Sequence, residues 1–143
     1  MTIQELSKYH NIKTEMKQLE DTIYELETTM IGSSKITGMP LSTLSGNSSP
    51  TERIGLKLAQ LREKLVTKQE KLLDEAHKIE DFLNTVDDEE IRIIVRERFL
   101  NGKTWDEVAK IIITDRSTPY YRLKNYLNRR LKDEKDKWNS RFV

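Results

Sequence analysis

The stretch NGKTWDEVAKIIITDRSTPYYRLKNYLNRRL, residues 101–131, decides the fold, because two helical patterns meet there with only a few residues between them. Thr104 and Glu107 form a T-x-x-E capping box, in which each side chain satisfies a backbone N–H that the first helical turn leaves open. Trp105, Val108, Ala109 and Ile112 then make the face that this helix buries. After the break TDRS, Tyr120, Leu123, Leu127 and Leu131 recur at helical spacing and mark the buried stripe of a second helix, which continues past Trp138. With that stripe inward, Ser117, Thr118, Tyr121, Arg122, Asn125 and Arg129 lie on a face that no core needs.

Two helices joined by a short turn, with the small Ala109 at the tight crossing, are expected to form a helix-turn-helix. The helix before them is announced by VDDEE, residues 86–90. Asp87 is placed to cap it, and the acids of its first turn suit the positive end of the helix dipole. Ile91, Ile94, Val95 and the Arg98–Phe99 step give it an apolar stripe, and Asn101-Gly102 ends it. Four consecutive carboxylates at a helix start do not converge on one point, so capping explains DDEE better than a cation site does.

Upstream, Tyr9, Ile12, Met16, Leu19, Ile23, Leu26 and Met30 recur at alternating steps of 3 and 4, which predicts a long helix from Thr2 to Met30. Residues 31–49, IGSSKITGMPLSTLSGNSS, hold three of the five glycines and a proline, and are expected to be a flexible loop. Ser49-Pro50-Thr51-Glu52 is an S-x-x-E capping box with proline at the first helical position. Ile54, Leu58, Leu61, Leu65, Leu72, Ile79, Phe82 and Val86 carry that helix to about Thr85. Lys68 and Glu75 interrupt its seam, either to specify register or partner, or as edge residues with their charges in water. Residues 1–85 therefore predict an antiparallel helical hairpin. Such a hairpin buries little apolar surface by itself. Ile12, Met16, Leu19, Ile23, Leu26, Leu58, Leu61, Leu65 and Leu72 are assigned to self-association, as a homodimer or higher homo-oligomer.

A chain of 143 residues has room for one compact domain, or a small domain with an extended element. Charged residues make up 34% and hydrophobic ones 36%, the balance of helices that each bury one narrow stripe. The absence of cysteine excludes disulfides, thiolate zinc sites and cysteine nucleophiles. His10 and His77 stand far apart, and no phosphate-binding loop, nucleophile elbow or dinucleotide fingerprint is present. No enzyme activity, cofactor or metal is expected. The opening MTIQELSKYH has no signal-peptide core and no run approaches a membrane span, so a cytoplasmic protein without a membrane partner is expected. Charge is divided unevenly: residues 116–143 hold nine Lys or Arg against three acids, and residues 1–31 hold three Lys against six acids. That asymmetry suits a nucleic-acid end and a partner end.

The segment VDDEEIRIIVRERFLNGKTWDEVAKIIITDRSTPYYRLKNYLNRRL, residues 86–131, resembles the fourth region of sigma factors. In that region an acidic-capped helix leads into Ser or Thr, an aromatic, any residue, Glu, a β-branched residue and Ala, followed by a recognition helix. The whole layout is similar to ArpU/RinA-like regulators of phages from Gram-positive bacteria, which place a helical half before a sigma-like helix-turn-helix. The resemblance implies transcription regulation inside a bacterial host cell, with activation of late phage genes, and leaves RNA polymerase open as a partner. Two positions depart from the pattern. Ile113 stands where glycine is usual, and a β-branched residue resists the left-handed backbone that glycine would supply. Pro119 replaces a β-branched residue and fits only within a first helical turn, which starts the recognition helix at Asp115, Ser117 or Thr118.

The resulting expectation is an all-α protein. Residues 1–85 form the oligomerising hairpin, and residues 86–143 a sigma region-4-like helix-turn-helix domain that binds double-stranded DNA. The recognition helix spans about 116–131, and Arg116, Ser117, Thr118, Tyr121, Arg122, Lys124, Asn125, Arg129 and Arg130 are its candidate DNA contacts. Arginine reads guanine and asparagine reads adenine by paired hydrogen bonds, while Lys124 and Arg130 are expected to neutralise phosphates. Three other classes remain open. A phage DNA-packaging subunit usually has the helix-turn-helix first, whereas here it comes last. A protein-binding modulator of RNA polymerase or a nuclease would use the motif as a scaffold. A coiled-coil adaptor leaves the basic last helix unexplained. Trp105 is expected in the core. Trp138, with Phe142, is read as a docking anchor on the helical half or as part of a frayed tail.

Overall fold

The computed structural model describes residues 1–34 and 49–142, with the backbone alone over 31–34. All regular structure among these residues is helical: α1 (Ile3–Ser34), α2 (Pro50–Asn84), α3 (Glu89–Val95) running on into a π-helical turn (Arg96–Leu100), α4 (Trp105–Ile111) and α5 (Thr118–Ser140). The all-α expectation holds. α1 extends four residues into the stretch expected to be a loop; the remainder of that expectation, residues 35–48, lies outside the described residues.

Local chemistry fixes most helix starts. Thr2 and Glu5 exchange bonds in a capping box that opens α1, the Glu5 carboxylate accepting the Thr2 N–H at 2.8 Å. The Ser49 hydroxyl accepts the Glu52 N–H at 3.2 Å, as the S-x-x-E pattern predicts. Thr104 and Glu107 complete the box at α4. At α3 the cap is Asp88 rather than Asp87: its carboxylate accepts from the Glu90 and Ile91 N–H groups. The one-residue shift follows from Val86. Its side chain is buried, its N–H bonds Leu83 O at 3.1 Å and its carbonyl accepts from Arg92 at 2.6 Å, so the chain is free to enter a helix only beyond Asp87.

The chain divides into two compact units, and they cut across the division expected between residues 85 and 86. The first unit comprises Met1–Asn11 with Asp74–Val143. Its core joins Leu6 of α1 and Ile79, Phe82 and Leu83 of α2 to Val86, Ile91, Ile94, Val95, Phe99, Val108, Leu123 and Leu127. Leu6 and Ile94 are completely buried. Two short helices and one face of α5 cannot enclose so many apolar side chains alone, so the start of α1 and the end of α2 serve as their other wall. Arg96 grips Glu80 with two bonds of 2.7 and 2.9 Å, tying the π turn to α2. Gly102 follows the π turn at φ 72°, and this left-handed conformation is what requires glycine, since a Cβ there would meet the His10 ring only in ordinary contact at 3.8 Å. Trp105 packs half-buried against this core, edge-on to Phe99 and Tyr120 at 6.0 and 5.5 Å.

The second unit is Ile12–Leu73. Within it α1 and α2 run antiparallel, as the Glu15–Lys68 (2.6 Å) and Glu27–Arg62 (2.5 Å) ion pairs require. Ile23 and Leu58 are buried, whereas Ile12, Met16, Leu19, Leu26, Leu61, Leu65 and Leu72 are half-buried, because each of two helices can cover only one side of the other's seam. Lys68, which interrupts the seam, keeps its stem half-buried and its ammonium on Glu15. Glu75, the other interruption, turns along its own helix to Lys78 at 3.0 Å.

The turn between α4 and α5 departs from expectation. Ile113 takes the left-handed conformation, φ 55°, that its side chain should resist. The reason is a Schellman closure of α4: the Ile113 N–H bonds Lys110 O at 3.3 Å and the Thr114 N–H bonds Ala109 O at 2.9 Å. The Ile113 side chain gains nothing in return, being 90% exposed. A left-handed L-residue costs about 1–2 kcal/mol, while the greater freedom of unfolded glycine costs about 0.5–1 kcal/mol. Ile113→Gly is therefore expected to raise stability by about 0.5–1 kcal/mol. A urea midpoint that stays put or falls would refute this account of strain.

Candidate nucleic-acid interface

α5 is locked by its inner stripe. Leu123 and Leu127 are buried against α3 and α4, Tyr120 is half-buried, and Leu131 is half-buried where the helix leaves the core. The helical period then turns Thr118, Tyr121, Arg122, Asn125, Asn128, Arg129 and Lys132 to the opposite side. All of these are exposed except the half-buried Thr118. Asn128 and Lys132 were not among the sequence-derived contacts, although their spacing from Tyr121 and Asn125 continues the outer stripe.

The start of the helix is Thr118, with Ser117 in the cap position. Pro119 occupies the second helical position, fully buried, where a missing N–H leaves no bond unmade. The Ser117 hydroxyl makes no capping bond and sits on the surface. Two shallow grooves flank this helix start. One, of about 950 Å³, is lined by Arg98, Trp105, Asp106, Arg116, Ser117 and Tyr121 among others. The second, of about 590 Å³, is lined by Lys110, Ile113, Thr114, Thr118 and Arg122 among others. Tyr121, 56% exposed, stands beside Tyr120, whose ring also carries the Lys124 ammonium 5.9 Å above it.

The candidate arginines fall into three groups. Arg129 is exposed on the outer stripe. Arg116, in the turn before α5, is held by Asp106 of α4 at 2.6 Å, and Arg122 of α5 by Glu90 of α3. Arg130 belongs to the domain's framework instead: it donates to Thr85 Oγ1 at 2.6 Å and lies over the Phe82 ring at 5.0 Å. Its expected part in neutralising phosphates is at odds with that position. Arg98 is likewise structural, donating to Lys103 O at 2.8 Å with its guanidinium over Trp105.

Two acids near the interface are engaged locally. The Thr104 backbone N–H holds the Glu107 carboxyl below the usual carboxylate range, and the Lys103 ammonium does the same for Glu97. Asp88 caps while Glu90 pairs, so the DDEE run diverges, and no group of three or more His, Asp or Glu among the described residues could hold a metal ion. No described helix is long and apolar enough to cross a membrane. Trp138, read as a docking anchor on the helical half or as part of a frayed tail, is 62% exposed, with its ring 4.6 Å from that of Phe142 near the end of α5.

No family model, curated protein or solved structure matches this chain.

Proposed function

We propose that the chain is a sequence-specific transcriptional regulator that lays α5 in the major groove of double-stranded DNA. The observation that carries this reading is the outer face of α5, where Tyr121, Asn125, Asn128 and Arg129 stand exposed on a helix whose inner face is locked in the core. A rigid helix presenting asparagine and arginine offers the paired donors and acceptors that distinguish bases in that groove. Lys124 and Lys132, exposed beside it, supply charge for phosphates.

Activation of late phage genes rests on the likeness of the whole layout to ArpU/RinA-like regulators, and a contact with RNA polymerase on the same resemblance. Assembly as a homodimer or higher oligomer is supported by the half-buried seam of the second unit, whose open sides a second copy would cover. Two copies would present two recognition helices and so read paired half-sites.

The test is selection from a randomised duplex library, with the intact chain beside Asn125→Ala. Enrichment of one motif by the intact chain, weakened in the variant and lost steeply with salt, is the expected result. Weak binding to all sequences, indifferent to Asn125, would replace this reading with a protein-binding modulator. The carboxylates on Arg116 and Arg122, which lower the positive charge of the face, are the observation that favours that second reading.

A further inference from the structure

We infer that Glu90 and Asp106 set the specificity of the α5 face by holding counter-charges on Arg122 and Arg116, an inference that rests on the DNA-binding reading. Each acid sits beside a helix cap that is complete without it. α3 is capped by Asp88 and α4 by Thr104 with Glu107, yet Glu90 and Asp106 reach across to the start of α5. The helix dipole favours an acid anywhere in a first turn, so it does not explain why these two meet arginines. Nor does folding stability. The paired side chains are 45% and 37% exposed at Arg122–Glu90, and 84% and 46% exposed at Arg116–Asp106. Ion pairs this open contribute little.

Their effect falls on the next partner of the arginines. A phosphate that approaches Arg116 or Arg122 has to displace a carboxylate of its own sign, so that contact releases little of the counterion atmosphere that drives non-specific binding. A guanine edge is neutral and accepts bonds from one side of the guanidinium fork, leaving the carboxylate on another. The pairs therefore weaken binding to random DNA more than binding to a sequence whose bases the arginines read. Specificity of this kind depends on a built-in penalty against the wrong partner.

The experiment measures binding of the full chain to a random-sequence duplex and to its selected motif across a salt series. The variants are Glu90→Gln, Asp106→Asn, the double variant, and Glu89→Gln as a control for net charge alone. Each of the first two is expected to steepen the dependence of log K on log salt by about 0.9 on random duplex, and to raise that affinity roughly five- to tenfold near 0.1 M salt. The ratio of selected to random affinity is expected to fall, while Glu89→Gln leaves the slope unchanged. An unchanged slope in the double variant overturns the inference, and so does an equal change in the control. A wild-type chain that binds no duplex even at the lowest salt overturns the DNA-binding reading itself.

Discussion

A fragment that begins at Val86 is expected to be largely unfolded in water, although it contains the whole helix-turn-helix. The core of that domain is closed from outside it by Leu6, Ile79, Phe82 and Leu83, of which Leu6 and Ile79 are at most 1% exposed. Burying one such side chain is worth about 1.5–3 kcal/mol, so losing all of them removes as much as the whole stability of a typical domain, about 5–15 kcal/mol. In the intact chain, Leu6→Ala alone is expected to cost about 2–5 kcal/mol. Urea unfolding followed by circular dichroism measures both. A cooperative transition in the 86–143 fragment, with a midpoint near that of the full chain, would mean that the long helices are accessories to the domain. Leu6→Ala with an unchanged midpoint would say the same of α1.

The second large effect is a separation of two residues on the same helix. Asn125→Ala is expected to leave stability nearly unchanged, because the side chain is exposed, and to cost about 1–3 kcal/mol on selected DNA. Arg130→Ala is expected to do the reverse. It removes a solvent-exposed charged hydrogen bond to Thr85, worth up to about 1 kcal/mol, and a guanidinium over the Phe82 ring, worth about 0.5–1 kcal/mol, so the first unit should melt earlier. The part of Arg130→Ala that remains folded should bind selected and random DNA as the parent does. Thermal unfolding beside fluorescence anisotropy reads the two quantities independently. Loss of affinity in a fully folded Arg130→Ala would return that residue to the interface, where the sequence had placed it.

That difference between Arg130 and Asn125 marks the limit of sequence reading for the candidate interface. Helical spacing correctly sets Leu123 and Leu127 inward, and Tyr121, Arg122, Asn125 and Arg129 outward, since the period is a property of the helix itself. It says nothing about a long side chain near the edge of the stripe, which goes wherever a partner is found. Arg130 finds Thr85 and Phe82, and Arg122 finds Glu90, across more than thirty residues of chain in each case. Asn128 is a different omission: three residues after Asn125 and seven after Tyr121, its place on the outer stripe is legible in the helical period.

The helices and their caps are legible in the residues alone. Capping boxes, Asn101-Gly102 and the heptad seams act over a few residues, so their signals stay local, and the boundaries move by one residue at Asp88 and by four at Ser34. The all-α architecture follows from them. Which helices share a core emerges from packing across the whole chain. Leu6 stands before the start of the Tyr9–Met30 seam, and in sequence it is one leucine near a terminus; in the fold it is completely buried among residues that come more than seventy positions later. Ile113 makes the same point for the backbone, because its own preference opposes a left-handed turn and the bonds that close α4 override it. Burial and chain closure are summed over the whole molecule, and no window of sequence contains that sum.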